Sequence, residues 1–161
     1  MYNIIMPYLI DGHNLIPKMG LQLESMDDEL ELIAILQEYC RVERKQQVEV
    51  YFDGAPASQA GTRKYGVVTA HFVPLKSTAD NAIRHRLKKL GKSAKNWIVV
   101  TSDQRVQLEA RTVRAEVMSS NAFAGLLKRA RTSAPKAVID RKLSQQEVDD
   151  WLKLFEDKKR K

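Results

Sequence analysis

The amino-acid sequence predicts an α/β fold in which a parallel sheet of about five strands carries helices on both faces. Short apolar runs alternate along the chain with longer segments whose apolar residues recur at helical spacing. Strands separated by helices pair in parallel, because the chain must cross back before each new strand. Three of the apolar runs end in an aspartate, and ligands of such sheets bind beyond the carboxyl ends of the strands.

The five predicted strands are rich in valine, isoleucine and aromatic residues, as buried strands are. They cover residues 8–11, 48–53, 67–73, 97–102 and 115–118. Residues 54–66, between the second and third strands, are rich in Gly, Ala, Ser and Thr and include Arg63 and Lys64. This composition predicts a mobile basic loop.

Helices are predicted between the strands from capping residues and apolar stripes. One helix follows Ser25 and continues to about Arg44, and another starts at Thr78 and ends at Gly91. Further helices are predicted for residues 104–111 and 120–131, an irregular arm for residues 132–140, and a last amphipathic helix after the capping box of residues 144–147.

The composition indicates one globular domain, residues 1–161, with a basic C-terminal arm and helix over residues 132–161. The 161 residues are 43% hydrophobic, which is enough for a core. Lys and Arg number 27 against 20 Asp and Glu, so the net charge of +7 favours an anionic partner such as RNA. No apolar stretch approaches about 18 residues, so no membrane partner is expected.

The single cysteine, Cys40, cannot form a disulfide within the chain and fits a reducing compartment. Its apolar neighbours predict a packing role rather than a nucleophile. Residues 1–10 are apolar but lack the basic segment and cleavage site of a signal peptide. We therefore expect a cytoplasmic protein, a monomer or weak homodimer, whose C-terminal helix packs within its own chain.

Four aspartates form the main candidate site. Asp11, Asp53 and Asp103 follow strands, and Asp80 lies in the first turn of a helix, where the helix dipole favours an anion. Each of them alone is explained as a turn or helix-start residue. Gathered at one edge of the sheet, however, they would repel one another unless protons or a cation compensated the charge. Oxygen ligands without a cysteine cluster indicate Mg²⁺ or Mn²⁺, one or two ions, rather than zinc.

Polar residues next to these acids are candidates for orienting them. Asn14 follows Asp11 by one helical turn, and its amide is expected to orient a carboxylate, although an ordinary cap residue explains it equally. Thr101 and Ser102 precede Asp103 and are expected to donate hydrogen bonds to the cluster.

The histidines and glycines exclude several other classes of enzyme. His71 and His85 have no serine or cysteine partner in a recognisable order and are interpreted as structural or surface residues, whereas His13, beside Asp11, stays open between a structural and a site role. Gly61 and Gly66 match no nucleotide-binding glycine pattern, which disfavours an ATPase or a dehydrogenase.

Basic residues are the candidates for gripping a nucleic acid. The predicted loop offers Arg63, Lys64 and Tyr65, whose ring can stack on an unpaired base. The helix that starts at Thr78 adds Arg84 and Lys88, although a solvated helix face explains many such charges.

Five short motifs occur in a fixed order along the chain. They are Asp-Gly-His-Asn-Leu-Ile (11–16), Phe-Asp-Gly (52–54), Thr-Ala-Asp (78–80), Val-Thr-Ser-Asp (100–103) and Met-Ser (118–119). In this order the set resembles the YacP-like branch of the NYN domains, within the PIN-like ribonuclease superfamily. The likeness covers nearly the whole chain. It implies a Rossmann-like (PIN-like) sheet whose acidic pocket holds Mg²⁺ or Mn²⁺ and hydrolyses RNA.

The resemblance also implies roles for individual residues. Asp11, Asp80 and Asp103 match the metal-binding acids of the family. Asp53 matches an acid on the neighbouring strand end, and Asn14 the motif asparagine. Ser102 and Ser119 match polar residues near the pocket.

The chain departs from the family pattern at several positions. His13 stands where tyrosine is usual, Gly54-Ala55 replaces a common Ala-His pair, and Ala82 and Arg84 replace frequent acids after Asp80. Residues 119–122 replace a frequent Ser-Ala-Arg-Glu, so Ala122 stands in the place of a carboxylate. The pocket therefore carries less negative charge than is usual in the family.

The expected function is endonucleolytic, metal-dependent hydrolysis of single-stranded RNA. The alternative is a catalytically weakened module that binds RNA or a ribonucleoprotein, which the missing carboxylate at Ala122 motivates. A third possibility, a hydrolase of small phosphate compounds, would explain the acids but not the net positive charge of the chain.

Overall fold

Six strands form one sheet in the computed structural model, which describes residues 6–21, 26–44 and 47–133. They are β1 (Tyr8–Asp11), β2 (Val48–Ala55), β3 (Gly61–Tyr65), β4 (Val68–Pro74), β5 (Ile98–Val100) and β6 (Glu116–Met118). The strand order is β3-β4-β2-β1-β5-β6, and every pairing is parallel except that of β3 with β4. The predicted α/β class is confirmed, with one strand more than expected.

The helices connect these strands and cover both faces of the sheet. They are α1 (Gly12–Leu15), α2 (Met26–Val42), α3 (Ala79–Leu90), α4 (Gln104–Thr112) and α5 (Ser120–Ser133). The start and end of α3 follow the predicted signals. Thr78 Oγ1 accepts a hydrogen bond from the Asn81 amide at 3.1 Å, and Gly91 closes the helix with a positive φ of 53°.

The loop predicted for residues 54–66 is wrong in its second half. Residues 61–65 form the edge strand β3, which pairs antiparallel with β4 through a tight turn at Gly66, where φ is +66°. Its side chains are mostly exposed, so it lacks the apolar alternation that marks a strand in a sequence. Likewise, β2 continues past Asp53 to Ala55 across a register shift between Phe52 and Ala55.

The C-terminal predictions are tested only in part. The arm predicted from residue 132 is wrong for its first two residues, because α5 continues to Ser133. The rest of the arm, the capping box and the last helix lie outside the described residues. The chain divides into two compact units, Met1–Ala130 and Arg131–Lys161, and the single-domain organisation stays a prediction. None of the described helices is both long and apolar enough to cross a membrane.

Two separate cores hold the layers together, one on each face of the sheet. On one face, α2 and α5 bury Leu36, Cys40, Phe123 and other residues against Ile10 and Phe52. On the other, α3 and α4 bury Ile83, Leu87 and Val106 against Leu9, Tyr51 and Val99. The central strand β1 is therefore buried on both sides, which explains why it is a continuous apolar run that ends only at Asp11. The position of Cys40 agrees with its predicted packing role.

Gly12 lies where β1 turns into α1, and the neighbouring backbone and ring leave no room for a side chain. A Cβ atom there would overlap the Phe52 ring and approach the Tyr51 carbonyl oxygen to 2.9 Å. The Gly12→Ala variant must displace β2, so we expect its free energy of unfolding to fall by about 1–3 kcal/mol. Urea unfolding measures this change.

Gly125 is the matched control for this substitution. It lies inside α5, and a Cβ there meets nothing within 4 Å. Because alanine is the better helix former, Gly125→Ala should stabilise the protein by about 0.5–1 kcal/mol. Equal effects of the two substitutions would contradict the close approach at Gly12.

Glu49 is a buried charge in the middle of β2, only 5% exposed. Arg86 of α3 donates to both carboxylate oxygens, from Nε at 3.1 Å and from Nη2 at 2.9 Å, and the Tyr51 hydroxyl donates at 3.1 Å. His71 Nε2 lies 3.3 Å from Glu49 Oε1. Burial acts to raise the pKa of Glu49, but the charges and donors of His71, Arg86 and Tyr51 outweigh it and lower the pKa to about 2. The ion pair therefore ties α3 to the sheet.

The Glu49→Gln variant should lose about 3 kcal/mol of unfolding free energy at pH 7, because Arg86 is left without its counter-charge. The folded pKa of about 2 lies below the ordinary value of 4.5, so the contribution of the carboxylate is complete above about pH 4.5 and disappears as the pH falls towards 2. Urea unfolding at pH 7 and pH 3 should show the deficit shrink. Glu116→Gln, at an exposed position, should change little at either pH, and a constant deficit for Glu49→Gln would contradict the ion pair.

Candidate active site

The strand order brings three of the predicted aspartates to one edge of the sheet. β1 lies between β2 and β5 and is parallel to both, so Asp11, Asp53 and the segment 101–103 leave the sheet at the same edge. Asp80 reaches this edge from the first turn of α3, which packs against β1 and β2. Asp80 and Asp53 act on the pKa of Asp11, and Asp103 and Asp53 act on that of Asp80. Folding therefore gathers them into one electrostatic neighbourhood.

Asp11 is the most deeply buried of the four, at 3% exposure. Burial above all, together with the charges of Asp80 and Asp53, raises the pKa of its carboxyl group to about 7, although the backbone amide of Asn14 acts in the opposite direction. The Asn14 side chain also donates a hydrogen bond, from Nδ2 to Asp11 Oδ2 at 2.9 Å. Asp11 is thus held in place but only partly ionised at neutral pH.

Asn14 makes hydrogen bonds to two segments of the site. While its Nδ2 donates to Asp11, its Oδ1 accepts a hydrogen bond from the Ser102 amide at 3.0 Å. One amide side chain thereby links the end of β1 to the segment that follows β5. This double contact fixes the Asp11 carboxylate relative to the loop that carries Asp103.

Asp80 and Asp103 form a pair that shares a hydrogen bond. Burial raises the pKa of Asp80 to about 6, with further contributions from its bond to Asp103 and from the Asp103 charge. That bond lowers the pKa of Asp103, helped by the backbone amides of Arg105 and Val106 at the start of α4. The pair therefore takes up one proton as the pH falls through about 6.

The polar residues beside the acids mainly support the backbone. Thr101 is fully buried, and its hydroxyl accepts from the Asp103 amide at 3.1 Å. Ser102 Oγ accepts from the Ser120 amide at 3.3 Å, and Ser119 Oγ accepts from the Ala122 amide at 3.1 Å at the start of α5. Thr101 and Ser102 thus shape the loop rather than donate to the aspartates, which differs from the expectation.

His13 lies between two carboxylates, a contact that the sequence did not reveal. Its Nδ1 lies 2.5 Å from Asp53 Oδ1, and its Nε2 lies 2.8 Å from Glu29 Oε1 in the first turn of α2. Burial lowers the pKa of His13, but the bonds to Glu29 and Asp53 outweigh it and raise the pKa above the ordinary value. Glu29 was missed because an acidic first turn of a helix needs no other explanation.

The basic residues predicted to grip RNA are dispersed. Lys64 pairs with Thr69 and faces the α3 side of the sheet, whereas Arg63 lies over the Phe72 ring at 4.9 Å on the opposite side. Tyr65 packs against the α2 core. Arg84 forms an ion pair with Glu109 of α4, and the Lys88 charge also acts on Glu109.

The four aspartates supply the donor chemistry that a hard cation prefers, and burial and like charge raise the pKa values of Asp11 and Asp80. Within the part of the chain that the structure describes, no three His, Cys, Asp or Glu side chains already stand in an arrangement that could hold a metal ion. The residues therefore fit a divalent cation in the chemistry of their ligand atoms.

The fold and the site define a class of protein, and comparison with known proteins identifies the family. The model of the YacP-like NYN domain matches residues 8–160, so the chain belongs to this family, whose domains have a PIN-like nuclease fold. A search of curated proteins found no match.

Solved structures with the same fold include one YacP protein in two forms. The crystal structure of Rae1 (YacP) from Bacillus subtilis has a TM-score of 0.67 and 21% sequence identity, over 95% of this chain and 94% of that one. A mutant form of the same protein has a TM-score of 0.63 and 20% identity, over 88% of each chain. At this identity the likeness shows the fold alone.

Asp11 and Asp103 should respond to substitution in opposite directions when chelator is present. The Asp11 pKa of about 7 exceeds its ordinary 3.8, so the folded state keeps a proton that the unfolded state loses between these values. The free energy of unfolding must therefore fall as the pH rises from about 4 to about 7. Asp11→Asn should remove this penalty and stabilise the protein by up to about 4 kcal/mol at pH 8, with no gain at pH 4.

The Asp103→Ala variant is the counterpart. Its carboxylate accepts from the Arg105 amide at 2.8 Å, and losing this cap should cost about 1 kcal/mol at pH 8. Thermal unfolding of both variants in EDTA measures whether each substitution raises or lowers the stability. A loss of stability in Asp11→Asn at pH 8 would show that Asp11 is not held among other carboxylates.

Proposed function

We propose that this protein is a metal-dependent endoribonuclease that hydrolyses phosphodiester bonds of single-stranded RNA. The observation that supports this most directly is the shared neighbourhood of Asp11, Asp80 and Asp103, with their perturbed pKa values, in a chain of net charge +7. Domains of the family are generally nucleases, which agrees with this reading.

Asp11, Asp80 and Asp103 would hold the first Mg²⁺ or Mn²⁺. When bound, such an ion activates water and stabilises the negative charge that develops on the phosphate. Asp53 is the candidate ligand for a second ion, but its Oδ1 is engaged by His13. A second ion therefore competes with the His13 contact, and one ion is the simpler arrangement.

The chain's own residues position the reaction and move its proton. Asn14 fixes Asp11 against the Ser102 loop, and the Thr101 hydroxyl fixes the backbone amide of Asp103. The Asp80–Asp103 pair titrates near neutral pH, so one of its carboxylate oxygens can accept the proton that the attacking water loses. Burial of Asp11 and Thr101 excludes bulk water from the floor of the site.

The charge of the chain favours a polymeric substrate over a small phosphate. The acidic pocket repels a lone phosphate, whereas a strand is also attracted by Lys and Arg residues outside the pocket, which number 27 in the chain. RNA, free or within a ribonucleoprotein, is the substrate that we propose, met in the cytoplasm by a monomer or weak dimer.

The alternative is a module that binds RNA without cutting it. It is motivated by Ala122, which lacks the carboxylate frequent at this position, and by the aspartates' unassembled arrangement. Both proposals require RNA binding, and they differ in whether a phosphodiester bond breaks.

The Asp80→Asn variant should lose cleavage by about a hundredfold or more, because one charged ligand and one proton acceptor disappear together. RNA affinity and the circular-dichroism spectrum should stay close to those of the unmodified protein. Glu31→Gln, on the exposed face of α2, is the matched control and should cut normally. Labelled single-stranded RNA with Mn²⁺ measures the rates, and EDTA should abolish them.

The same assay separates the two proposals. Retention of RNA by the unmodified protein without any cutting in Mn²⁺ or Mg²⁺ would favour the binding module. Cutting at an equal rate by Asp80→Asn would show that the site lies elsewhere.

A further inference from the structure

A cleft of about 600 Å³ lies beside the acidic site, between α3 and the hairpin of β3 and β4. None of the four aspartates lines it. Its walls come from Thr62 on β3, from Val73 and Pro74 at the end of β4, and from His85 and Lys89 on α3. Its volume falls within the range that small-ligand sites occupy.

The packing of α3 explains why the cleft is open. Ala79, Ile83 and Leu87 bury one side of this helix against β1 and β2, so the helix does not extend over the two outer strands. On the α3 side, β4 presents Thr69 and His71, which pair with Lys64 and Thr62 of β3. The outer part of the sheet thereby forms a polar floor below the exposed side of α3.

The charge of the cleft is positive. Glu49 is the one acid among the described residues that line it, and Arg86 already neutralises this carboxylate at the floor. Lys89 and His85 remain exposed at the mouth, one helical turn apart, and Lys64 faces the same side of the sheet. The cleft therefore favours a negatively charged ligand over a cationic or an uncharged one.

The remaining wall of the cleft is apolar, which favours a ligand that has an apolar surface as well as a negative charge. Val73 and Pro74 form a wall opposite the cations, and Thr62 and Ser77 add hydroxyl groups. A nucleotide combines an apolar base face with an anionic phosphate. It can therefore contact both the apolar wall and the cations of the cleft, whereas a simple anion would contact the cations alone.

The cleft also continues from the acidic site along the same helix. Ser77, at one end of the cleft, is three residues before Asp80, and Lys89, at the other end, is nine residues after it. Nine residues of helix span about 13 Å, the length of a few nucleotides. A strand whose phosphate lies at the aspartates can therefore enter the cleft without a break.

We infer that this cleft holds the stretch of the RNA strand next to the cut bond, with a base against Val73 and Pro74 and a phosphate near Lys89. The inference rests on the proposed function and adds the path of the substrate to it. The RNA-binding residues predicted from the sequence are dispersed, whereas the cleft is one surface. Lys89 and His85 line this surface and were not among the predicted residues.

Lys88 and Lys89 provide a matched test, because they are neighbouring exposed lysines that point about 100° apart around the axis of α3. Lys89 lines the cleft, whereas Lys88 acts on Glu109 of α4. In the Asp80→Asn background, which leaves RNA uncut, Lys89→Glu should weaken binding of a labelled single-stranded oligonucleotide roughly tenfold and reduce the salt dependence by about one phosphate contact. Lys88→Glu should weaken it by no more than about threefold.

A steric variant tests the cleft without changing charge. Thr62 lies on the exposed edge strand, and Thr62→Trp should fill the cleft and weaken binding of the oligonucleotide, while a dinucleotide binds as before. Equal losses in Lys88→Glu and Lys89→Glu, together with normal binding in Thr62→Trp, would overturn the inference. Loss of binding for mononucleotides and long strands alike would assign the cleft to a single nucleotide rather than to a strand, and would overturn it also.

The outcome can be told apart from failure of the proposed function. If the unmodified protein cuts RNA and the two lysine variants bind equally, the cleft assignment fails alone. If the unmodified protein binds RNA but never cuts it, the nuclease proposal fails while the difference between the lysines still reports the path of the strand.

Discussion

The structure depends on keeping a carboxylate buried at the carboxyl end of its central strand. Asp11 lies at 3% exposure, next to Asp80 and within the field of Asp53, where burial and like charge both oppose ionisation. The free-energy cost of burying this carboxylate is offset because separate cores pack on both faces of β1. Gly12 also allows the chain to turn tightly beneath the Phe52 ring. Such an arrangement lowers stability and is explained most simply by a ligand that supplies positive charge.

Among the described residues, the cations near the acidic site and those along the cleft differ in their partners. The aspartates lie at the edge of the sheet, while His13, Arg84 and Arg86 each contact an acid and are partly neutralised. The cations that remain exposed along the cleft, Lys89 above all, are not opposed by an unpaired acid there. A polyanion therefore meets attraction along the helix and meets the carboxylates only where a cation would offset them.

The predictions made from the sequence were correct where a local signal, such as a helix-capping residue, has a single structural meaning. Thr78 and Gly91 bounded α3, and Asp11 marked the end of β1. They failed at β3, whose exposed residues carry no apolar alternation, although its partner β4 follows directly after a tight turn. Arg63 and Lys64 looked like one basic pair, but the pleat of the strand sends them to opposite faces.

By itself, the sequence determined the alternation of strands and helices, the net positive charge and the acids that are candidates for the site, because these follow from local periodicity and residue type. Only the tertiary structure decided which groups meet. His13 between Glu29 and Asp53, Arg86 on Glu49, and Lys89 rather than Lys88 at the cleft all depend on contacts between distant segments or on the rotation of a helix against its neighbours. Such contacts are set by packing across the whole sheet, which leaves no local pattern in the chain.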